Sequence, residues 1–182
     1  MGKDGASMTN YLNSRTMMMA SFSKIVSPGL RLGWICAKEE AMEKLIIAKQ
    51  ASDLHSNHLS QRIVHQYLLD NDLDDHILKI AKVYKEQRDV MVSMIEEYFP
   101  QETNHTKPEG GMFLWVTLPQ GISSLELFHQ ATQLNVAFVP GQPFYVDGGG
   151  ENTLRLNFSN TDEVQIEEGI RRLAEALKKL MA

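Results

Sequence analysis

A short segment near the beginning of the chain combines residue types that can bind an anion and an aldehyde. It reads SFSKIVSPGLRLGW, in which the hydroxyls of Ser21 and Ser23 precede Lys24. Arg31 follows the lysine after a Pro-Gly turn. A planar guanidinium suits the oxygen atoms of a phosphate. If the turn folds Arg31 back, the two hydroxyls and the guanidinium can share one phosphate while Lys24 meets an aldehyde carbon.

The lysine needs an environment that makes its amine nucleophilic. A free lysine has a pKa of about 10.4 and is charged in water, so its amine does not react. Burial and a neighbouring cation both lower this pKa, which is how lysines that form Schiff bases are activated. A lone lysine beside serines is usually a solvated loop residue. The complete pattern S-x-S-K-x-x-x-P-G-x-R-x-G instead favours a lysine that holds a cofactor with electron-sink chemistry.

The elements that position this segment follow from the spacing of apolar residues and from chain breakers. Pro28-Gly29 ends any preceding helix, and Leu30–Cys36 then reads as a buried strand. Helical spacing covers Lys38–Leu69, with a break that Ser56 or Asn57 can cap. Further helices are predicted at about 74–98, 123–134 and 162–180, and further strands at Met112–Leu118, Val136–Val139 and Thr153–Phe158. This order predicts an α+β fold in which helices pack on a small, mainly antiparallel sheet.

Composition and charge limit the function classes. The formal net charge is −5 and no block of lysines and arginines occurs, so we expect no nucleic-acid partner. No run approaches about 20 consecutive apolar residues, so we expect no membrane-spanning helix. Cys36 is the only cysteine, which excludes an intramolecular disulfide and suits a reducing cytosol. We therefore expect a cytoplasmic protein.

Three histidines fall at spacings that suggest a metal site. His55, His58 and His65 are separated by three and seven residues in a predicted helical region. No cysteine or acidic residue completes a zinc-ligand spacing, and solvated histidines are common on helices. We therefore assign no metal ligands.

The lysine segment resembles the cofactor-lysine motif of the class I/II aminotransferases. It is most similar to the branch that contains 2-aminoadipate and aromatic aminotransferases, together with the aminotransferase-like domains of MocR-type regulators. Three later blocks resemble further family motifs in the family's order: EGGMFLW from Glu109, VAFVPG from Val136 and NTLRLNF from Asn152. The resemblance covers roughly residues 21–182. It implies a fold-type I protein, with the C-terminal small domain and a remnant of the large domain, that binds pyridoxal 5'-phosphate (PLP).

The resemblance also implies a role for individual residues. Lys24 corresponds to the lysine that forms the Schiff base with PLP. The implied phosphate contacts are Ser21, Ser23 and Arg31. Arg155 corresponds to the arginine that clamps the substrate α-carboxylate, and Asn57 is expected on the substrate side.

The role of Arg155 also has a physical argument of its own. An arginine within an otherwise apolar strand is costly unless it meets an anion, and a carboxylate can accept two of its hydrogen bonds. The alternative is an ordinary ion pair within the chain. The surrounding motif favours the substrate carboxylate.

These roles imply a transaminase that moves an amino group between an amino acid and a 2-oxo acid and acts as a homodimer. Family members supply further cofactor contacts from a long portion that precedes the lysine, and residues 1–20 cannot replace it. We therefore expect this chain alone to have little or no activity. We assign residues 1–20 to a leader or an artificially added segment, 21–70 to the end of the large PLP-binding domain and 71–182 to the C-terminal small domain.

Two other functions stay open. The chain can be the effector-sensing domain of a MocR-type transcriptional regulator, whose gene would encode a winged helix-turn-helix upstream. It can also be a folded C-terminal domain without catalytic function. A PLP titration of the isolated chain distinguishes this last function from cofactor binding.

Overall fold

The computed structural model describes residues 16–182, which contain two antiparallel sheets and five α-helices. In chain order the elements are β1 (Met18–Ser21), β2 (Gly33–Cys36), α1 (Glu39–Ser52), α2 (His58–Asp70), α3 (Leu73–Tyr98), β3 (Asn104–His105), β4 (Phe113–Thr117), α4 (Ser124–Gln133), β5 (Val139–Pro140), β6 (Thr153–Asn157) and α5 (Glu163–Met181). Short 3₁₀ turns occur at Phe22–Lys24, Pro28–Leu30 and Gln142–Phe144. The chain folds as two units, which divide between Ile77 and Leu78.

The first unit contains the β1–β2 hairpin and the helices α1 and α2. The two strands are antiparallel, with Met18 opposite Cys36 and Ser21 opposite Gly33. Of the segment predicted to be a leader, residues 1–15 lie outside the described residues. Residues 18–20 are part of β1 and pair with β2.

The predicted strand Leu30–Cys36 begins later and is more exposed than the sequence indicated. Pro28–Leu30 forms a 3₁₀ turn and Arg31 is left-handed with φ of 53°, so strand pairing begins only at Gly33. Trp34 is 36% exposed among the described residues. The prediction of a buried strand was therefore wrong, because a short apolar run does not reveal what covers it.

The helical pattern from Lys38 to Leu69 forms two helices with a sharp break. Asn57 is the N-cap of α2, and its side-chain oxygen accepts the backbone N–H of Ser60 at 2.9 Å. Leu54, in the connection, has φ of 65°. The predicted break is confirmed, and Asn57 rather than Ser56 is the cap because its Oδ1 reaches a free N–H of the first turn.

The second unit, Leu78–Ala182, is built on a four-stranded antiparallel sheet with the strand order β3-β4-β6-β5. Leu114 and Val116 of β4 lie opposite Leu156 and Leu154 of β6, and all four are buried. Apolar residues of α3, α4 and α5 complete the same core. The predicted α+β architecture, with helices packed on a small antiparallel sheet, is confirmed.

The last helix, α5, follows its sequence pattern closely. The Asp162 side chain accepts the backbone N–H of Gln165 at 2.8 Å, and the Gln165 side chain accepts the N–H of Asp162 at 3.3 Å. This capping box fixes the start of the helix. The residues that form its buried stripe are Ile166, Ile170, Leu173 and Leu177. No helix in residues 16–182 is long and apolar enough to cross a membrane.

Leu114→Ala tests the importance of the sheet face that packs against the helices. Leu114 is fully buried in the second unit, so truncation should leave a cavity and lower the free energy of unfolding by about 2–5 kcal/mol. Val146→Ala is the control, because Val146 is 99% exposed and its loss should change stability by less than about 0.5 kcal/mol. Urea unfolding monitored by circular dichroism measures both, and equal effects would contradict the assigned core.

A histidine on the short edge strand couples the stability of the second unit to pH. The His105 side chain is only 11% exposed, and its Nε2 lies 3.8 Å from Oε1 of Glu96. Burial lowers the pKa of His105; the charge of Glu96 opposes this shift and that of Lys107 adds to it. Between the unfolded pKa, about 6.5, and the lower folded pKa, the unfolded chain binds more protons. The stability contributed by neutral His105 is therefore lost as the pH falls through this window.

His105→Gln should make the free energy of unfolding less sensitive to acid, because glutamine does not titrate. Urea unfolding is measured at about pH 7.5 and at about pH 5.5, which lie above and below the unfolded histidine pKa of about 6.5. His58→Gln, at an exposed position on α2, is the matched control and should keep the wild-type pH dependence. If both variants lose stability on acidification as the wild type does, His105 is not the source.

Candidate functional site

The cofactor-lysine segment forms the closed end of the β1–β2 hairpin. Ser21 and Gly33 are the last paired residues, and the N–H of Phe22 donates to the carbonyl of Leu32 at 3.0 Å. The loop between them contains two 3₁₀ turns that pack against each other. One turn ends at Lys24, and the other immediately precedes Arg31. The hairpin thus holds the lysine and the arginine on one small loop.

The hydroxyl of Ser21 organises the start of this loop. It accepts the N–H of Ser23 at 3.1 Å as the cap of the first 3₁₀ turn, and it donates to the carbonyl of Leu32 at 3.5 Å. The carbonyl of Phe22 then accepts three backbone N–H groups, at 2.8–3.3 Å, from the residues that follow Lys24. These bonds give the loop a defined shape without using the Lys24 amine or the Ser23 hydroxyl.

Arg31 is held in a backbone conformation that is uncommon for a residue with a side chain. Its φ of 53° and ψ of 40° lie in the left-handed region, and its N–H donates to the carbonyl of Pro28 at 3.4 Å. One guanidinium nitrogen also donates to the Pro28 carbonyl, at 3.3 Å. A guanidinium carries five N–H donors. Within residues 16–182 the guanidinium thus uses one of its nitrogens to hold the loop.

The residues of this loop fit the phosphate and aldehyde ends of PLP. Ser23 and Arg31 supply hydroxyl and guanidinium donors, and Lys24 supplies an amine on the same loop. Ser21 supplies a further hydroxyl, whose proton is donated to the Leu32 carbonyl over a long distance of 3.5 Å. The predicted burial of Lys24 is not provided by residues 16–182, in which its side chain is exposed. The loop brings the predicted cofactor residues together, but the described residues do not enclose them.

The second predicted site residue, Arg155, lies in the middle of β6 in the second unit. Its neighbours Leu154 and Leu156 are buried, so Arg155 projects from the opposite face of the sheet. Its guanidinium carbon lies 4.2 Å from the ring centroid of Phe113 and 4.9 Å from that of Phe144. Arg155 also lines a cavity of about 790 Å³.

The ion pair considered as an alternative for Arg155 is not observed in residues 16–182. In this range no carboxylate lies within salt-bridge distance of Arg155, although Arg172, which lines the same cavity, pairs with Glu168 at 2.7 Å. The block from Val136 to Val139 lines this cavity too. Only Val139–Pro140 forms a strand there, shorter than predicted, because pairing with β6 begins at Val139. Arg155 therefore presents a positive charge, backed by aromatic rings, to an open cavity.

One predicted site residue has another structural role, and one set of contacts was missed by the sequence reasoning. Asn57 is exposed and its Oδ1 is engaged as the α2 cap, so its substrate-side role stays a prediction. The aromatic contacts of Arg155 were not predicted from the sequence. Phe113 could have been found from the alternation of β4, since it projects from the same face as Trp115. Phe144 could not, because it reaches Arg155 through a turn rather than through strand spacing.

The sequence profile of the family described as Aminotransferase class I and II matches residues 4–173. The chain belongs to this family. Members of the family use PLP, as the resemblance implied.

The most informative relatives are transaminases. The chain is 46% identical over 164 residues to 2-aminoadipate transaminase from Thermus thermophilus, covering 90% of this chain and 41% of that protein. It is 46% identical over 167 residues to aromatic-amino-acid aminotransferase 1 from Thermococcus litoralis, covering 92% and 40%. The crystal structure of alpha-aminoadipate aminotransferase from Thermus thermophilus, complexed with N-(5'-phosphopyridoxyl)-L-leucine, matches with a TM-score of 0.87 and 45% identity. That match covers 91% of this chain and 42% of the other.

A transcriptional regulator also appears among the relatives. An uncharacterised HTH-type transcriptional regulator from Bacillus subtilis is 32% identical over 165 residues, covering 91% of this chain and 34% of that protein. The chain spans about two fifths of the length of the two transaminases and about a third of the regulator. The branch identified from the sequence is thus confirmed.

Gly33→Ala tests whether close strand approach maintains the lysine hairpin. A Cβ at Gly33 would lie 2.7 Å from the carbonyl oxygen of Ala20, so the strands must move apart next to Ser21. We expect a loss of about 1–3 kcal/mol in stability, the usual cost of overpacking. Gly29→Ala is the matched control on the same loop, because its Cβ would meet only Ser27 Oγ, at 3.9 Å. Urea unfolding monitored by the adjacent Trp34 measures both, and equal stabilities would contradict the close approach.

Proposed function

We propose that this chain supplies the cofactor lysine, part of the phosphate site and the substrate-carboxylate site of a PLP-dependent transaminase. The reaction moves an amino group between an amino acid and a 2-oxo acid. The observation that carries this proposal is the hairpin loop that holds Ser21, Lys24 and Arg31 in a chain of the aminotransferase family. In this proposal residues 21–70 are the end of the large PLP-binding domain and residues 71–182 are the C-terminal small domain.

The hairpin residues would bind the cofactor at its two ends. The Ser23 hydroxyl and the Arg31 guanidinium would donate hydrogen bonds to phosphate oxygens. The Ser21 hydroxyl would join them by giving up its long hydrogen bond, 3.5 Å, to the Leu32 carbonyl. Lys24 Nζ would hold the aldehyde end of the cofactor. PLP, when bound, acts as the electron sink that stabilises negative charge at the substrate α-carbon.

The chain's own groups then orient the substrate and move its proton. Arg155 binds the α-carboxylate through a bidentate contact, which fixes the orientation of the α-carbon. Once the substrate amine has displaced it from the cofactor, Lys24 Nζ would be free to accept the α-proton as a general base and to hold that proton for return. Asn57 is proposed to contact the substrate through its amide N–H₂, since its oxygen is engaged in the α2 cap.

The assembly and the location of the protein belong to the same proposal. Family membership supports a homodimer, in which two copies complete the active sites. The free thiol of Cys36 suits the reducing cytoplasm. This chain alone is expected to have little or no transaminase activity, because the relatives devote about three fifths of their length to parts that it does not match.

A second function is supported by one finding. The HTH-type regulator from Bacillus subtilis matches 91% of this chain. The same elements can therefore serve as an effector-sensing domain, in which PLP chemistry reports an amino acid to a DNA-binding domain. The higher identity to the transaminases, 46% against 32%, favours the enzyme. A winged helix-turn-helix encoded upstream of residue 1 in the same gene would favour the regulator.

Reductive trapping tests the proposed role of Lys24. Borohydride converts the carbon–nitrogen double bond between a lysine amine and an aldehyde into a stable amine. After incubation of the purified chain with PLP and reduction, peptide mass mapping should find Lys24 labelled at PLP concentrations that leave Lys44 unlabelled. Lys44 is the internal control because it is exposed on α1 and far from any hydroxyl-guanidinium cluster in sequence. Lys24→Ala should abolish the selective label, whereas Lys44→Ala should preserve it.

A cofactor analogue separates the phosphate site from general lysine reactivity. Pyridoxal, which lacks the phosphate, should label Lys24 and Lys44 to similar extents. Arg31→Gln should remove the preference for Lys24 seen with PLP. Equal labelling of both lysines by PLP in the wild-type chain would overturn the proposal, and transamination by the purified chain would overturn the expectation that it is inactive alone.

A further inference from the structure

The guanidinium of Arg155 is stabilised by rings instead of by an acidic side chain. Within residues 16–182 no carboxylate pairs with it, and its guanidinium carbon lies within 5 Å of two ring centroids, 4.2 Å for Phe113 and 4.9 Å for Phe144. Both distances are within the range of a cation–π interaction. An acidic partner would compete with a carboxylate ligand for the same N–H donors. An aromatic ring stabilises the charge without neutralising it.

The two rings come from elements that are hydrogen-bonded or packed next to the arginine strand, and Phe144 is 48% exposed. Phe113 is the first residue of β4, and its Cα partner in β6 is Asn157, two residues from Arg155. Phe144 belongs to the 3₁₀ turn Gln142–Phe144. Its ring also makes an edge-to-face contact with Trp115, at 5.4 Å between centroids, and Trp115 is the direct cross-strand partner of Arg155. The rings are therefore placed by the same sheet that carries the arginine.

Gly141 joins the 3₁₀ turn to the arginine strand. Its N–H donates to the carbonyl of Thr153 at 2.7 Å, and its own carbonyl accepts the N–H of Phe144 at 2.9 Å. A Cβ at Gly141 would lie 2.0 Å from Thr153 Oγ1 and 2.8 Å from the Thr153 carbonyl oxygen. Only glycine allows this approach. The turn that carries Phe144 is thus bonded to β6 two residues before Arg155.

We propose that Phe113 and Phe144 are positioning residues that hold the Arg155 guanidinium in place for a carboxylate ligand. The rings order the side chain before the ligand arrives, so that binding does not have to restrict a mobile arginine. This inference rests on the proposed role of Arg155 as the carboxylate site. It gives a function to two aromatic rings that have no role in the proposed function itself. The ligand class is an amino acid or 2-oxo acid carboxylate.

The first experiment measures the order of Arg155 without any ligand. The Nε–Hε signal is observed by ¹⁵N relaxation on the chain and assigned by its loss in Arg155→Lys. We expect an order parameter near the rigid-backbone value, about 0.85, and a much lower value for Arg62, which is exposed on α2. Phe144→Leu keeps apolar bulk but removes the ring and should lower the Arg155 value, whereas Phe144→Tyr keeps the ring and should preserve it.

The second experiment measures carboxylate binding at the same signal. Propionate is the probe and propionamide is the uncharged control. Loss of one ring, in Phe144→Leu or Phe113→Leu, should raise the Kd for propionate about two- to fivefold, the effect of a cation–π contact at a partly exposed site. Phe99→Leu is the matched control in the core of the same unit, at a ring that makes no cation–π contact with Arg155, and should leave the Kd unchanged.

The two readouts distinguish the failure of this inference from the failure of the proposed function. Unchanged order and unchanged Kd in both ring variants, with native β4 and β6 amide signals, overturn the positioning role. Failure of wild-type Arg155 to respond to propionate overturns its proposed function as a carboxylate site. Whether or not Arg155 binds propionate, the order parameter of its Nε–Hε group shows whether the rings restrict the motion of the guanidinium.

Discussion

The alternation of side chains along β6 is the constraint on which the second unit depends. β6 pairs on one side with β4 and on the other with β5, so its register is fixed by two neighbours. Leu154 and Leu156 are buried against the helices, which stabilises the fold by about 1.5–3 kcal/mol for each side chain. A shift by one residue would expose both leucines and bury Arg155. Because the cost of burying an unpaired charge adds to the loss of leucine burial, the arginine must lie on the open face.

The loop of the lysine hairpin is shaped by hydrogen bonds within the loop itself. The proposed anion site needs several donors on a short piece of chain, and a loop this small can hold them only if its own polar groups are satisfied. The capped 3₁₀ turn after Ser21 and the left-handed Arg31 meet this requirement. The left-handed conformation costs of order 1 kcal/mol, and the bonds to the Pro28 carbonyl offset part of it. The loop of the first unit therefore contains a strained residue, Arg31, whereas the strand that carries Arg155 in the second unit is held by pairing on both sides.

Family membership and function are distinct conclusions for this chain. The transaminases and the HTH-type regulator match nearly the same stretch, at 46% and 32% identity. Both observations are consistent with the proposal that the lysine hairpin binds a cofactor and the arginine strand binds a carboxylate in either kind of protein. Whether such binding leads to turnover or to a signal depends on the elements joined to the module, since fold alone does not decide function.

The sequence by itself determined the local features of the protein. The Asn57 cap, the strands predicted at Met112–Leu118 and Thr153–Phe158 and the start of α5 near Asp162 all depend on neighbours within a few residues, and each lies close to where it was predicted. The tertiary structure decided the rest. The exposure of Lys24, the late start of β2 and the contact of Phe144 with Arg155 depend on segments distant in the sequence. Spacing along one element cannot report such contacts, because burial and ring packing are set by whichever other element approaches in space.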